Sequence, residues 1–187
     1  MVYDRPVPDY QRNMPHFTPN DAPYFITFNL DGALPTAVRR SLLSGNSKFK
    51  DYDAYLDKVA SGPNWLVQPD LADIVFQRLM QLESEVLTLC AFTVMSNHVH
   101  LIMMLYEKQE LEDVMKSIKG PTARYCNLAL ERRGRFWQHE SFDRVLRWNE
   151  HRVTAKYIVM NPVKAGLVKN WRDYKSTYLN ERLFFIE

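Results

Sequence analysis

The sequence predicts an α+β fold: a ferredoxin-like (RRM-like) antiparallel sheet with helices, and one further helix added near the C-terminus. Three observations predict it. Strand-like runs with alternating apolar residues and helix-like runs with 3.6-residue spacing follow one another in the order β, α, β, β, α, β, α. Two of the strand runs are separated only by Ser96-Asn97, which reads as a hairpin turn. The chain has 187 residues, is 46% hydrophobic and contains no internal repeat or low-complexity tract, so it can bury one core as a single domain over 1–187.

The first strand is "YFITFNL", Tyr24 to Leu30, bounded by Pro23 and the Asp31-Gly32 turn signal. Residues around 34–66 form a less assignable, insertion-like region of mixed short helices and loop. In "QPDLADIVFQRLMQLES", Leu71, Ile74, Val75, Leu79 and Leu82 fall at helical spacing, with Asp70 as the expected N-cap. "VLTLCAFTVMS" and "HVHLIMML" form the hairpin. "ELEDVMKSIKGPTARYCNLALERRG" reads as one or two helical pieces, with a break or kink expected at Gly120-Pro121 and a stop at Gly134. "FDRVLRW" is the fourth strand. "NEHRVTAKYIVMN" is the added helix, expected to finish around Asn161 because Pro162 disfavours helix in the residue before it.

Composition excludes several classes. No apolar run approaches the roughly 18 residues of a membrane span, and "MVYDRPVPDYQRNMPHF" lacks the apolar centre of a signal peptide, so a soluble, cytoplasmic protein with no membrane partner is expected. Cys90 and Cys126 each sit in an apolar pattern and read as small core fillers, not as a disulfide or a zinc site. The net charge of +2 conceals segregation: residues 61–115 carry two basic and eight acidic residues, residues 116–187 fifteen basic and seven acidic. A basic C-terminal half suits a polyanionic partner, although a solvated helix face has the same composition.

The chemistry concentrates in "MSNHVHLIMML". Strand side chains alternate, so His98 and His100 project from one face while Val99 and Leu101 project from the other. Such a pair can hold one metal ion, contact phosphates, or satisfy itself in a core. Tyr157 and Asn161, four residues apart, share one face of the added helix. If that helix crosses the sheet near the histidines, it brings a phenol and an amide oxygen to two imidazoles.

"MSNHVHLIMM", "RGRFWQHESFDRVLR" and "YIVMNPVKAGLV", with "YFITFNLDGALP" and "NWRDYKSTY" outside them, resemble the REP-associated tyrosine transposases, a branch of the HUH single-strand DNA transposases. The resemblance spans roughly Pro23 to Tyr178. Departures are confined to Ser96, where the family commonly has proline, and Ser176-Thr177, where it commonly has two serines. The resemblance implies that His98 and His100 bind a divalent metal, Mg2+ or Mn2+, with Asn161 as third ligand. It implies that Tyr157, on a catalytic C-terminal helix, is the nucleophile. The activity implied is metal-dependent cleavage and strand transfer of single-stranded DNA near hairpin-forming repeats, through a 5′-phosphotyrosine. Tyrosine has a pKa near 10, so only about 0.1% is phenolate at neutral pH; Lys156 or Lys164 is placed in sequence to help. The basic run Lys116, Lys119, Arg124, Arg132, Arg133 and Arg135 lies beside Tyr125, Phe136 and Trp137 and is the expected DNA-binding surface, with Phe136 and Trp137 better suited to the core. A monomer or homodimer is expected, with the monomer favoured because one chain's helix can reach its own histidines. Two rivals remain: a histidine-based nucleotide phosphohydrolase, which lacks a third alternating histidine because Ile102 stands there, and a non-catalytic single-strand-binding module.

Overall fold

The computed structural model describes residues 22–34, 55–56, 62–147 and 149–184. Most of the insertion-like region expected around 34–66 lies outside the described residues. Five strands form one sheet: β1 (Tyr24–Asn29), β2 (Leu87–Val94), β3 (His98–Leu105), β4 (Phe142–Val145) and β5 (Thr177–Leu179), in the order β4-β1-β3-β2-β5. All pairings are antiparallel, and β3 takes the centre between β1 and β2. Among the described residues the α-helices of this unit are α1 (Pro69–Leu82), α2 (Leu111–Ala129), α3 (His151–Val159) and the short α4 (Asn161–Lys164), besides a helical fragment at 55–56. The expected α+β order is therefore observed, with β5 as an edge strand the sequence reading did not include.

Alternation along the strands sorts the core into two layers. Ile26, Phe28, Val99, Leu101 and Met103 point to the face covered by α1 and α2, where they meet Leu71, Val75, Leu79, Val114 and Ile118. Phe25, Ala91 and Ile102 point to the opposite face, where Ala155, Ile158 and Val159 of α3 cover them. His98 and His100 share the parity of Ile102, which puts both imidazoles on the α3 side. Cys90 and Cys126 are buried free thiols, and burial pushes both up to about 12, so they pack as apolar groups.

Four local expectations are corrected or sharpened. Asp70 is inside the first turn of α1; Gln68 occupies the N-cap without a side-chain bond, and Pro69 opens the helix, where its missing N–H costs nothing. Of the break or kink expected at Gly120-Pro121, the break is absent: α2 is one piece, running continuously with Pro121 inside it. A proline there leaves the Ser117 carbonyl without its helical donor, and Arg78 of α1 fills the gap, its Nε donating to that oxygen at 2.9 Å. The stop of α2 falls before Gly134: Glu131 takes the left-handed conformation at φ 51°, and the Arg132 N–H returns to the Asn127 carbonyl at 2.9 Å. Lastly, α3 finishes at Val159, close to the expected Asn161, but Asn161, expected on the same helix as Tyr157, opens a separate one. Met160 stays in the right-handed region and α4 begins with Asn161-Pro162, because proline is acceptable in a first turn.

The Arg78 bridge makes a measurable prediction. Arg78→Met is expected to destabilise the fold by about 1–2 kcal/mol, the cost of an unpaired, part-buried carbonyl. In a Pro121→Ala background, where the restored N–H reaches Ser117, thermal denaturation should show a smaller loss for the same change. Equal losses in both backgrounds would remove the bridge as the reason for the unbroken helix.

Candidate active site

Pairing of β1 with β3 sets the site. Thr27 lies opposite His100 and Asn29 opposite His98, while Thr93 of β2 flanks His100 from the other side. All five side chains are buried, with His100 at 0% and His98 at 1% exposure, so their polar atoms must find partners within the protein or in a ligand. His98 Nδ1 meets Asn97 Oδ1 at 2.6 Å, and His100 Nδ1 meets Thr27 Oγ1 at 2.8 Å. The inner nitrogens face one another, Nε2 to Nε2, at 3.0 Å. Burial first, and the neighbouring His100 second, hold the His98 imidazole well below the ordinary histidine range and keep it neutral. A neutral imidazole is the form a metal needs.

Helix α3 crosses the sheet near this pair and brings Tyr157 to it. Its ring lies 6.0 Å from that of His100, centroid to centroid, in an edge-on arrangement. Phe25 stacks on the same imidazole at 6.0 Å. Of the two lysines near Tyr157 in sequence, Lys164 is the one that meets it: its Nζ stands 4.0 Å above the centre of the phenol ring. Lys156 points out from an exposed position.

Asn161 begins α4 four residues after Tyr157 and is fully buried. Among the described residues, neither its Oδ1 nor its Nδ2 has a hydrogen-bond partner. An amide left unsatisfied in a core costs about 1–3 kcal/mol, so the position is unfavourable unless something else binds that oxygen. Among the described residues, no three His, Cys, Asp or Glu side chains are grouped to hold a metal ion. The candidate donors are accordingly the two imidazole nitrogens and the Asn161 amide oxygen, a set whose chemistry would suit a divalent cation and leave positions open for a substrate.

The basic run divides into three kinds of residue. Lys116 is exposed but paired with Glu112 at 2.9 Å and Asp113 at 3.4 Å. Lys119 and Arg132 turn inward. Lys119 Nζ donates to the carbonyls of Gln138 (2.6 Å) and His139 (3.0 Å) and to Ser141 Oγ (3.2 Å), and its burial pushes it down to about 8. Arg132 lies 4.0 Å over the Trp65 ring and bonds Asn127 Oδ1 and the Arg135 carbonyl. Arg124, Arg133 and Arg135 are exposed, as is Tyr125. Phe136 and Trp137 are core residues, with Trp137 Nε1 donating to Thr122 Oγ1 at 2.9 Å. Sequence reasoning missed Asn97 and Thr27. The first adjoins His98 in the chain and was open to notice, whereas the second is found only from strand register.

No helix among the described residues is long and apolar enough to cross a membrane. No curated protein sequence matches the chain. Among solved structures, one described as "Structure of the REP associates tyrosine transposase bound to a REP hairpin" is similar at a TM-score of 0.59 and 17% identity, covering 95% of this chain and 86% of the other. That similarity is one of fold. A second, a candidate transposase from Deinococcus radiodurans R1, has 18% identity and a TM-score of 0.42, with 80% of this chain and 95% of that one covered. At the level of sequence, the family described as "Transposase IS200 like" matches residues 64–161, a span that holds both histidines, Tyr157 and Asn161 and exceeds half of the chain. The chain therefore belongs to the IS200-like transposase family.

Proposed function

We propose that this transposase is a metal-dependent single-stranded DNA endonuclease and strand transferase of the REP-associated branch, acting through a covalent 5′-phosphotyrosine at Tyr157. One observation carries the reading: two buried imidazoles face each other beside Tyr157, while the Asn161 amide four residues further on is buried with neither polar atom satisfied. His98, His100 and Asn161 would hold the ion, Mg2+ or Mn2+. When bound, a divalent cation supplies Lewis-acid polarisation of a scissile phosphate oxygen.

The chain's own residues do the rest. The Tyr157 phenol oxygen forms a bond to phosphorus and the bond from phosphorus to the 3′ oxygen breaks. The phenol gives up its proton and the leaving 3′ oxygen takes one up, ending as a free hydroxyl. The phosphodiester is conserved as the tyrosine ester, so a second 3′-hydroxyl can reverse the step without a nucleotide cofactor. Lys164, over the phenol ring, holds the ring in place and sets a positive charge beside the developing negative one. Tyr157 meets His100 of the same chain, which supports action in cis by a monomer. The similarly folded REP-associated transposase is bound to a REP hairpin, which supports a hairpin-bearing single strand as the substrate.

The deciding experiment is incubation with a hairpin-bearing single strand and Mn2+, followed by a denaturing gel. A metal-dependent covalent protein–DNA adduct is the expected result. Binding without an adduct would make the chain a single-strand-binding module, and nucleotide hydrolysis without an adduct would favour phosphohydrolase chemistry.

Exposed Arg124, Arg133 and Arg135 are the residues of the basic run free to reach phosphates. Changing the three to glutamine should weaken hairpin and unrelated single strands alike, because phosphate contacts position without reading sequence. Each phosphate contact adds about 0.7 to the slope of log affinity against log salt, so its magnitude should fall by about two. An unchanged slope would move the DNA path to another face. Lys119 and Arg132 are poor test positions, since their loss opens internal bonds.

A further inference from the structure

Two polar side chains bind the outer nitrogens of the histidine pair, and their hydrogen-bond capacities differ. Asn97 donates from Nδ2 to the Leu56 carbonyl at 3.1 Å. A carbonyl can only accept, so the amide has one orientation and presents Oδ1 to His98 Nδ1 at 2.6 Å. That oxygen also only accepts. Nδ1 therefore carries the proton, and Nε2 of neutral His98 carries a lone pair. Thr27 is different, because its hydroxyl, 2.8 Å from His100 Nδ1, can either donate or accept.

The 3.0 Å separation of the two Nε2 atoms then decides the state of His100. Two lone pairs at that distance repel, so with no cation between them His100 must present Nε2–H to His98. Its Nδ1 is bare and accepts a hydrogen bond from the Thr27 hydroxyl. Metal binding needs both Nε2 atoms bare, which requires the His100 proton on Nδ1 and Thr27 turned to accept it. The pair carries two protons before and two after, so none is gained or lost.

We infer that Asn97 and Thr27 are positioning residues for the metal site. Asn97 locks His98 in the Nδ1–H form, and Thr27 lets His100 pass from Nε2–H to Nδ1–H when a divalent cation binds. The reversal rests on the proposed reading of the pair as a metal site. The lock does not, and it gives the insertion-like region a role at the site, since Leu56, 41 residues before Asn97, orients the amide that orients His98.

The test uses the full chain labelled with 15N-histidine, whose long-range 1H–15N spectra identify each tautomer, with and without saturating Mg2+. Metal-free protein should show His98 as Nδ1–H and His100 as Nε2–H, and Mg2+ should convert His100 alone. Thr27→Val should weaken Mn2+ binding by calorimetry by about tenfold to a hundredfold, the usual effect of losing an outer partner. Thr27→Ser should restore it. Asn97→Leu should give mixed tautomers at His98. Should that variant fail to fold, Asn97→Asp keeps an acceptor and should keep Nδ1–H. His100 unchanged in Mg2+-loaded protein, or wild-type affinity in Thr27→Val, overturns the reversal; Nε2–H on His98 in wild type or Asn97→Asp overturns the lock. Wild-type protein that binds neither ion overturns the metal reading and the reversal with it, while the metal-free spectra still decide the lock.

Discussion

Tyr157→Phe should fold, bind hairpin-bearing single strands as the wild type does, and form no covalent adduct. The substitution removes one oxygen. The ring that packs on the α3 side of the sheet stays, as does the aromatic face beneath the Lys164 ammonium, which attracts a cation in phenylalanine as in tyrosine. Removing a covalent nucleophile abolishes the route to the intermediate, so cleavage should fall on the order of 10^6-fold, to the floor of a gel assay. Unaltered melting temperature and unaltered strand affinity are the controls that separate lost chemistry from lost structure. Cleavage at the wild-type rate would take the nucleophile's role away from Tyr157.

His98→Ala and His100→Ala should each eliminate Mn2+ binding and metal-dependent cleavage, since each removes one of only two nitrogen donors. Losing an outer partner costs about tenfold to a hundredfold in affinity, and losing a donor should exceed that. Asn161 should behave differently, with function and stability moving in opposite directions. Asn161→Leu, close to isosteric, replaces a buried amide that has no partner. It should raise metal-free stability by about 1 kcal/mol or more while lowering metal affinity. A melting temperature that falls, with metal affinity intact, would make Asn161 a structural residue. The paired measurement is decisive because a ligand residue and a packing residue predict opposite signs.

Much of this site was legible one residue at a time. Alternation on a strand put His98 and His100 on one face, and the Ser96-Asn97 turn joined two adjacent strands into the hairpin at the centre of the sheet, whereas the single helix expected to carry both Tyr157 and Asn161 ends at Val159 and Asn161 opens the next. The first two follow from geometry that repeats within a few residues, and neighbouring side chains suffice to reveal it. The basic run was legible only as composition. Nothing in its spacing distinguishes Arg124, which faces solvent, from Lys119, whose three donors are spent on Gln138, His139 and Ser141.

What the sequence by itself determined, then, is the order of elements and a set of candidate site residues. The tertiary structure decided which partner each buried polar group obtains. Pro121 looked like a helix break because the donor that compensates it, Arg78, lies 39 residues away from Ser117 on another helix. Thr27 is 73 residues from His100 and reaches it only through strand pairing. Leu56 lies in a stretch without readable periodicity, yet its carbonyl fixes the amide of Asn97. Local rules act over one or two turns of chain, whereas a buried donor or acceptor is satisfied by whichever segment the packed core brings against it.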